Sequence, residues 1–245
     1  MKRRRSAPLL AALVVGFSFL AVPAFGQASA TAEAAPAKAT LGARGWEYGP
    51  VFQGGEGVGV RYGFTFTSAG FELGKVITGE HLPGLMRGQF EFVGQLLPYW
   101  QAFTPPPHTA TATAVNPTTG LQYTYSYPVG GGTSTGVQVM PVVLRWDFKP
   151  HRKLALWFQA AGGVIYTTHK FPPDQLVPHG TPGGTSVFNF SPQGGIGLQY
   201  FLRPGRSIYV LGSGVHISSA SLGDRNPGVN ASVQFQIGYS FWSRP

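Results

Sequence analysis

Residues 228–242 read Gly-Val-Asn-Ala-Ser-Val-Gln-Phe-Gln-Ile-Gly-Tyr-Ser-Phe-Trp. Val233, Phe235, Ile237, Tyr239 and Phe241 occupy one parity; Ser232, Gln234, Gln236, Gly238 and Ser240 occupy the other. An apolar/polar period of two is the signature of a strand, because successive side chains leave it on opposite faces. The same split runs through 185–202, where Phe188, Phe190, Ile196, Leu198 and Tyr200 oppose Asn189, Ser191, Gln193 and Gln199. In 136–148, Met140, Val142, Leu144, Trp146 and Phe148 oppose Arg145 and Asp147. Extended along the chain, the pattern predicts eight strands, near 46–54, 59–78, 84–102, 134–149, 153–168, 185–203, 206–220 and 228–242.

These segments are long. A globular strand runs about 5–6 residues, whereas one crossing a bilayer needs about 9–11. The connections 79–83, 150–152 and 204–205 are short, and 103–133 and 169–184 are long and rich in Pro, Gly, Thr and His. Short turns at one end and long loops at the other are the habit of outer-membrane barrels. Composition agrees. Only 11% of the 245 residues are charged, 43% are hydrophobic, and there are 35 Gly and 21 Pro. Surface helices need a charged face and exclude Gly and Pro, so a helical protein is ruled out. A soluble β-sandwich also alternates, but it carries more charge on its wet face. The fold expected is therefore all-β, an eight-stranded antiparallel up-and-down outer-membrane β-barrel over 46–245. Tyr99, Trp100, Phe103, Trp146 and Phe148 are expected in interfacial belts. The chain's last strand closes on Phe241-Trp242, an aromatic ending followed here by Ser243, Arg244 and Pro245.

The first thirty residues are an address. Lys2, Arg3, Arg4 and Arg5 precede an apolar stretch from Ala7 to Phe25 and the small residues Ala28-Ser29-Ala30, the order of a secretory signal. Residues 31–45 read as a flexible lead-in. Four positive charges of the formal +9 belong to this signal. The rest form no stripe interleaved with aromatics, so no nucleic-acid partner is expected. The run Lys149-Pro150-His151-Arg152-Lys153 reads as a turn. There is no Cys, which excludes disulfide scaffolds and Cys-ligated metals. No metal site and no cofactor are expected: Gly54-Gly55 and Gly130-Gly131-Gly132 lack the strand-to-helix setting and Lys of a phosphate loop. His81, His108, His151, His169 and His179 are scattered.

Chemistry concentrates at the last hairpin. His216 and Ser218 lie two apart and share one strand face. An imidazole beside a hydroxyl is the minimum unit of an activated serine nucleophile. A hairpin symmetric about Asp224 pairs Ser218 with Asn230, bringing a third side chain close enough to orient the histidine. Asn226 and the backbone around Gly228 offer donors for an oxyanion. On periodicity alone, the reading favoured is a histidine at a barrel rim beside a hydroxyl-rich strand end.

The segment His216-Ile217-Ser218-Ser219-Ala220, followed by Asn226 and Gly228, resembles the active-site hairpin of the lipid A 3-O-deacylase (PagL-type, acyloxyacyl hydrolase) family. The resemblance implies an eight-stranded outer-membrane barrel that hydrolyses the ester-linked acyl chain at the 3 position of lipid A. It implies Ser218 as nucleophile, His216 as general base, and Asn226, Gly228 and Ser219 in the oxyanion region. The partner implied is lipid A or lipopolysaccharide, met in the membrane. Two positions depart from the family pattern. Ser219 stands where Asn usually follows the serine, and Asn230 stands where the family keeps its acid. Asn can hold an imidazole in the right tautomer but cannot stabilise the imidazolium as a carboxylate does. Asp224, Glu91 and Glu72 are the alternative acids. The rival functions are a non-catalytic structural or adhesive barrel and a soluble periplasmic lipid carrier.

Overall fold

A computed structural model describes residues 45–106, 108–129, 132–171, 186–223 and 230–243. The expected signal and nearly all of the lead-in lie outside the described residues. The strands are β1 (Trp46–Val58), β2 (Thr65–Val76), β3 (Gly88–Phe103), β4 (His108–Val115), β5 (Gln122–Val129), β6 (Thr133–Phe148), β7 (Leu154–Phe171), β8 (Ser186–Phe190), β9 (Gln193–Arg203), β10 (Arg206–His216) and β11 (Ala231–Trp242).

The main sheet closes on itself. Its order is β6-β3-β2-β1-β11-β10-β9-β7-β8, and β6 also pairs β7. β8 and β9 are two halves of one wall: β7 pairs β9 along Leu154–Ala161 and β8 along Val164–Phe171. The break falls at Ser191-Pro192, where proline has no N–H to give the ladder. Counting that wall once gives the expected eight-stranded antiparallel barrel. The linker expected at 103–133 is not structureless, because β4 and β5 form a separate hairpin there.

Alternation sorts side chains between the two surfaces. Phe52, Phe71, Leu73, Phe92, Leu144, Leu156, Phe158, Ile196, Leu198, Ile208, Val210, Phe235 and Ile237 stand exposed on the outer wall. The inner face is filled rather than hollow. Near the outer end it holds Phe64, Phe66, Trp100, Ala102, Ile165, Phe171, Val215 and Ile217. At mid-height it holds Val51, Val93, Leu97, Met140, Val143, Trp157, Tyr209 and Leu211. Buried Gln53, Gln95, Gln159, Gln199 and Gln236 also line the interior: Gln53 donates to Gln193, Gln95 to Glu72, Gln199 to Glu47 and Gln236 to the Tyr209 hydroxyl, while Gln159 accepts from Arg145. An apolar exterior around an interior that carries the polar and charged side chains suits a wall that meets hydrocarbon.

Two prolines reset the parity. The β6 ladder shifts between Val139 and Val142, across Pro141, and the β3 ladder shifts between Leu97 and Trp100, across Pro98. Each bulge adds a residue and turns the following side chains to the other face. Met140 is therefore buried inside while Val142 and Leu144 face out, correcting the single face expected for 136–148. Trp100 likewise joins the inner aromatic cluster and not an interfacial belt. Trp146 is also buried, its ring 4.7 Å from that of Phe90.

Candidate active site

β10 fixes the geometry of the hairpin. Ser207, Tyr209, Leu211, Ser213 and Val215 are buried inward, and Ile208 and Val210 are exposed outward. Backbone bonding continues this alternation past the strand's formal end. The His216 N–H donates to Pro192 O, the Ile217 N–H to Asn230 O, and the Ser218 N–H to Phe190 O. Ile217 packs in the inner cluster, so His216 and Ser218 share the outer face. From Ile208 to His216 a strand rises about 26 Å, or about 20 Å along the barrel axis at a tilt near 40°. That carries His216 to the far edge of an apolar band about 25 Å tall. With short turns on the periplasmic side, this edge is the outer-leaflet side.

Ser218 is 8% exposed. Its Oγ accepts a hydrogen bond of 3.1 Å from the Ala220 N–H. The chain then turns through two residues at positive φ, Ala220 at 47° and Ser221 at 65°. Non-glycine residues adopt such values rarely, and they collect where a site constrains the backbone. The turn aims one backbone donor at the hydroxyl. Ser219 is buried, and its Oγ has no hydrogen-bond partner among the described residues. Asn226 and Gly228, expected near an oxyanion, lie outside the described residues, as does Asp224. Among the described residues no hydrogen bond joins His216 to Ser218.

Asn230 is not brought to the histidine. The register pairs His216 with Ala231, one residue away from a hairpin centred on Asp224. A slip of one residue turns a side chain to the opposite face. Asn230 consequently lies opposite Ile217, is 4% exposed, and its Oδ1 accepts from the Arg61 Nε–H inside the barrel. Arg61 comes from the turn after β1 and lies over the Phe64 ring at 5.5 Å. Glu72 and Glu91 are not near the hairpin either. With Glu47 they surround Arg145 in the interior, its Nη2 standing 2.7 Å from Glu72 and its Nη1 3.5 Å from Glu47 and 3.6 Å from Glu91. The guanidinium also stacks over Trp157 at 4.5 Å. Glu47, Glu72 and Glu91 are thus gathered on Arg145, away from the hairpin.

The outer wall beside the hairpin holds a carboxylate the sequence reading passed over. β1 runs on to Val58, four residues beyond its expected end, and carries Glu56 with the outward parity of Tyr48 and Phe52. Glu56 pairs Val233, which pairs Gly214 one outward step below His216. The alternation from Tyr48 already put position 56 on the apolar face; Gly54-Gly55 concealed it by looking like a loop. With Gly57, Val58, Tyr62, Val233 and Phe235 among others, Glu56 lines an open groove of about 680 Å³.

The fold and this hairpin define a class: an outer-membrane β-barrel bearing a serine and a histidine on its outward wall. The model of the lipid A 3-O-deacylase (PagL) family matches residues 95–240. That is more than half of the chain and includes both walls of the hairpin, and the chain belongs to this family. Among solved structures, the outer membrane enzyme PagL is similar at 16% identity and a TM-score of 0.43, over 80% of this chain and 98% of that one. The β-domain of the Bordetella autotransporter BrkA is similar at 14% identity and a TM-score of 0.28, over 82% of this chain and 100% of that one. A search of curated proteins gave no match.

Proposed function

We propose that this outer-membrane barrel removes the ester-linked acyl chain at the 3 position of lipid A, with Ser218 as nucleophile and His216 as general base. Membership of the lipid A 3-O-deacylase family supports the substrate class. The observation that carries the catalytic assignment is the shared outward face of His216 and Ser218 at the outer-leaflet edge of the apolar band. A soluble hydrolase keeps its serine in a cleft. Here the substrate is itself a membrane component, so a wall exposed to lipid is where the ester arrives.

The chemistry divides into two displacements. The Ser218 Oγ attacks the ester carbonyl carbon while the His216 imidazole takes the hydroxyl proton. The tetrahedral oxyanion collapses, the bond to the sugar oxygen breaks, and His216 returns the proton to that oxygen. Water, deprotonated by His216, then attacks the acyl-serine and releases the fatty acid, and the proton passes back to Ser218. The Ala220 N–H, already directed at the Ser218 oxygen, is a donor positioned near where negative charge develops. The groove beside Val233 and Phe235 is apolar enough to hold an acyl chain.

The test is mass spectrometry of lipid A after expression in an outer membrane. Loss of one hydroxyacyl chain is expected with the unaltered protein, and its retention with Ser218→Ala or His216→Ala at normal heat-modifiable migration. An unchanged acyl pattern with correctly inserted, unaltered protein refutes the assignment.

A further inference from the structure

Asn230 occupies the position from which the resemblance would have an acid orient the imidazole, yet its side chain turns inward to Arg61. If His216 works as a base, something else on the outer wall must hold it, because an imidazole free to rotate loses its correct tautomer and aim. The neighbours of His216 on that wall can be named strand by strand. The β8–β9 wall contributes Phe190, Pro192 and Gly194; β11 contributes Ala231 and Val233; β1, beyond it, contributes Val58 and Glu56. Among these described neighbours Glu56 is the one titratable group.

We propose that Glu56 is the positioning carboxylate for His216, completing an order Ser218–His216–Glu56 that descends the outer wall. This inference rests on the deacylase reading above. The register sets the geometry. His216 pairs Ala231, Ala231 pairs Val58, and Glu56 lies one outward step below Val58. Two strand spacings and one two-residue step separate the Cα atoms by about 12 Å. An extended glutamate and an imidazole close that span together, directly or through one water. The line between them crosses β11 between Ala231 and Val233, and directly beneath His216 the strand carries Gly214, where an added Cβ would meet nothing within 4 Å. Ser218 lies on the opposite side of His216 from Glu56, so one imidazole nitrogen can face the hydroxyl while the other faces the carboxylate.

Glu56 also lacks a structural occupation that would explain it. It is exposed, and it forms no ion pair with any described residue. Of the other charged residues exposed on the strands, Lys75 lies toward the periplasmic rim, where it stands over Trp46 at 4.9 Å, and Lys170 lies at the outer end of β7. A carboxylate directed at lipid is unfavourable away from the interface. Pairing with an imidazolium formed during the reaction offsets that, since the charge is neutralised when the barrier is highest.

The experiment uses the full-length barrel in detergent with purified lipid A, comparing unaltered protein, Glu56→Gln, Glu56→Asp, Asp224→Asn and Ser218→Ala, with folding checked by heat-modifiable migration. Glu56→Gln is expected to lower kcat by roughly 10²- to 10⁴-fold with little change in KM, the upper end being the loss when a catalytic histidine is left in the wrong tautomer. Glu56→Asp is expected to recover part of the rate, which a merely structural role for the side chain would not predict. A Glu56→Gln enzyme with unchanged kcat overturns the inference, as does loss of activity confined to Asp224→Asn. Neither result touches the deacylase reading, which fails only if the unaltered protein is inactive or Ser218→Ala keeps its activity.

Discussion

Replacing Asn230 with alanine separates two accounts of the last hairpin. The resemblance gives this position the task of orienting His216; the register gives it to Arg61 inside the barrel. Truncation removes a hydrogen bond from a guanidinium that is 4% exposed. Hydrogen bonds to charged groups contribute about 1.5–3 kcal/mol. Two features reduce that figure. The Asn230 Nδ2 has no described partner, so its removal relieves a buried unsatisfied donor, and Arg61 keeps further interactions, including the Phe64 ring. A loss of about 1–2 kcal/mol is therefore expected. Urea titration in detergent micelles, followed by heat-modifiable migration and tryptophan fluorescence, reads it as a lower midpoint at constant slope. The rate per folded molecule should fall less than about tenfold, which is less than 1.4 kcal/mol of barrier. Loss of a group that holds a catalytic histidine in its tautomer costs on the order of 10⁴-fold. An Asn230→Ala barrel with an unchanged midpoint and a rate down by more than about 100-fold would refute the inward assignment.

Three further outcomes follow from the barrel itself. Arg145→Met leaves Glu47, Glu72 and Glu91 buried without their cation; a destabilisation of about 3–5 kcal/mol is expected in the same titration, and adding Glu72→Gln should recover part of it. Gly197→Ala puts a Cβ 2.2 Å from the Trp157 ring, whereas Gly214→Ala meets nothing; unfolding should show a loss of about 1–3 kcal/mol for the first and none for the second. Val210→Arg, on the exposed outer face, should destabilise the barrel in lipid vesicles by up to about 2–4 kcal/mol, while a soluble barrel would lose almost nothing.

How much of this was legible depended on what kind of information each feature needs. Alternation in Ser232–Phe241 and Phe188–Tyr200 located the strands and sorted wall from interior, because strand parity is a local property. It failed at Met140 and Trp100, where Pro141 and Pro98 insert bulges. Those prolines were visible, but a sequence does not say whether a proline ends a strand or kinks it. The arginine that gathers Glu47, Glu72 and Glu91 was unreadable, since those residues lie on separate strands joined only by closure. His216 and Ser218 were readable because they sit on one strand, where spacing alone fixes a common face.

By itself, then, the sequence determined an all-β barrel with an apolar exterior, its count of walls, and a histidine and serine side by side near one rim. These depend on period, length and spacing within single strands. The tertiary structure decided everything that depends on register between strands. Parity with Ser232 and Gln234 already put Asn230 on the polar face, and parity with Tyr48 put Glu56 on the outer one; what register added was their neighbours, Ile217 and Arg61 for Asn230 and Val233 for Glu56, two strands from His216. Register is set by the sum of cross-strand packing around a closed barrel, and no single strand contains that sum.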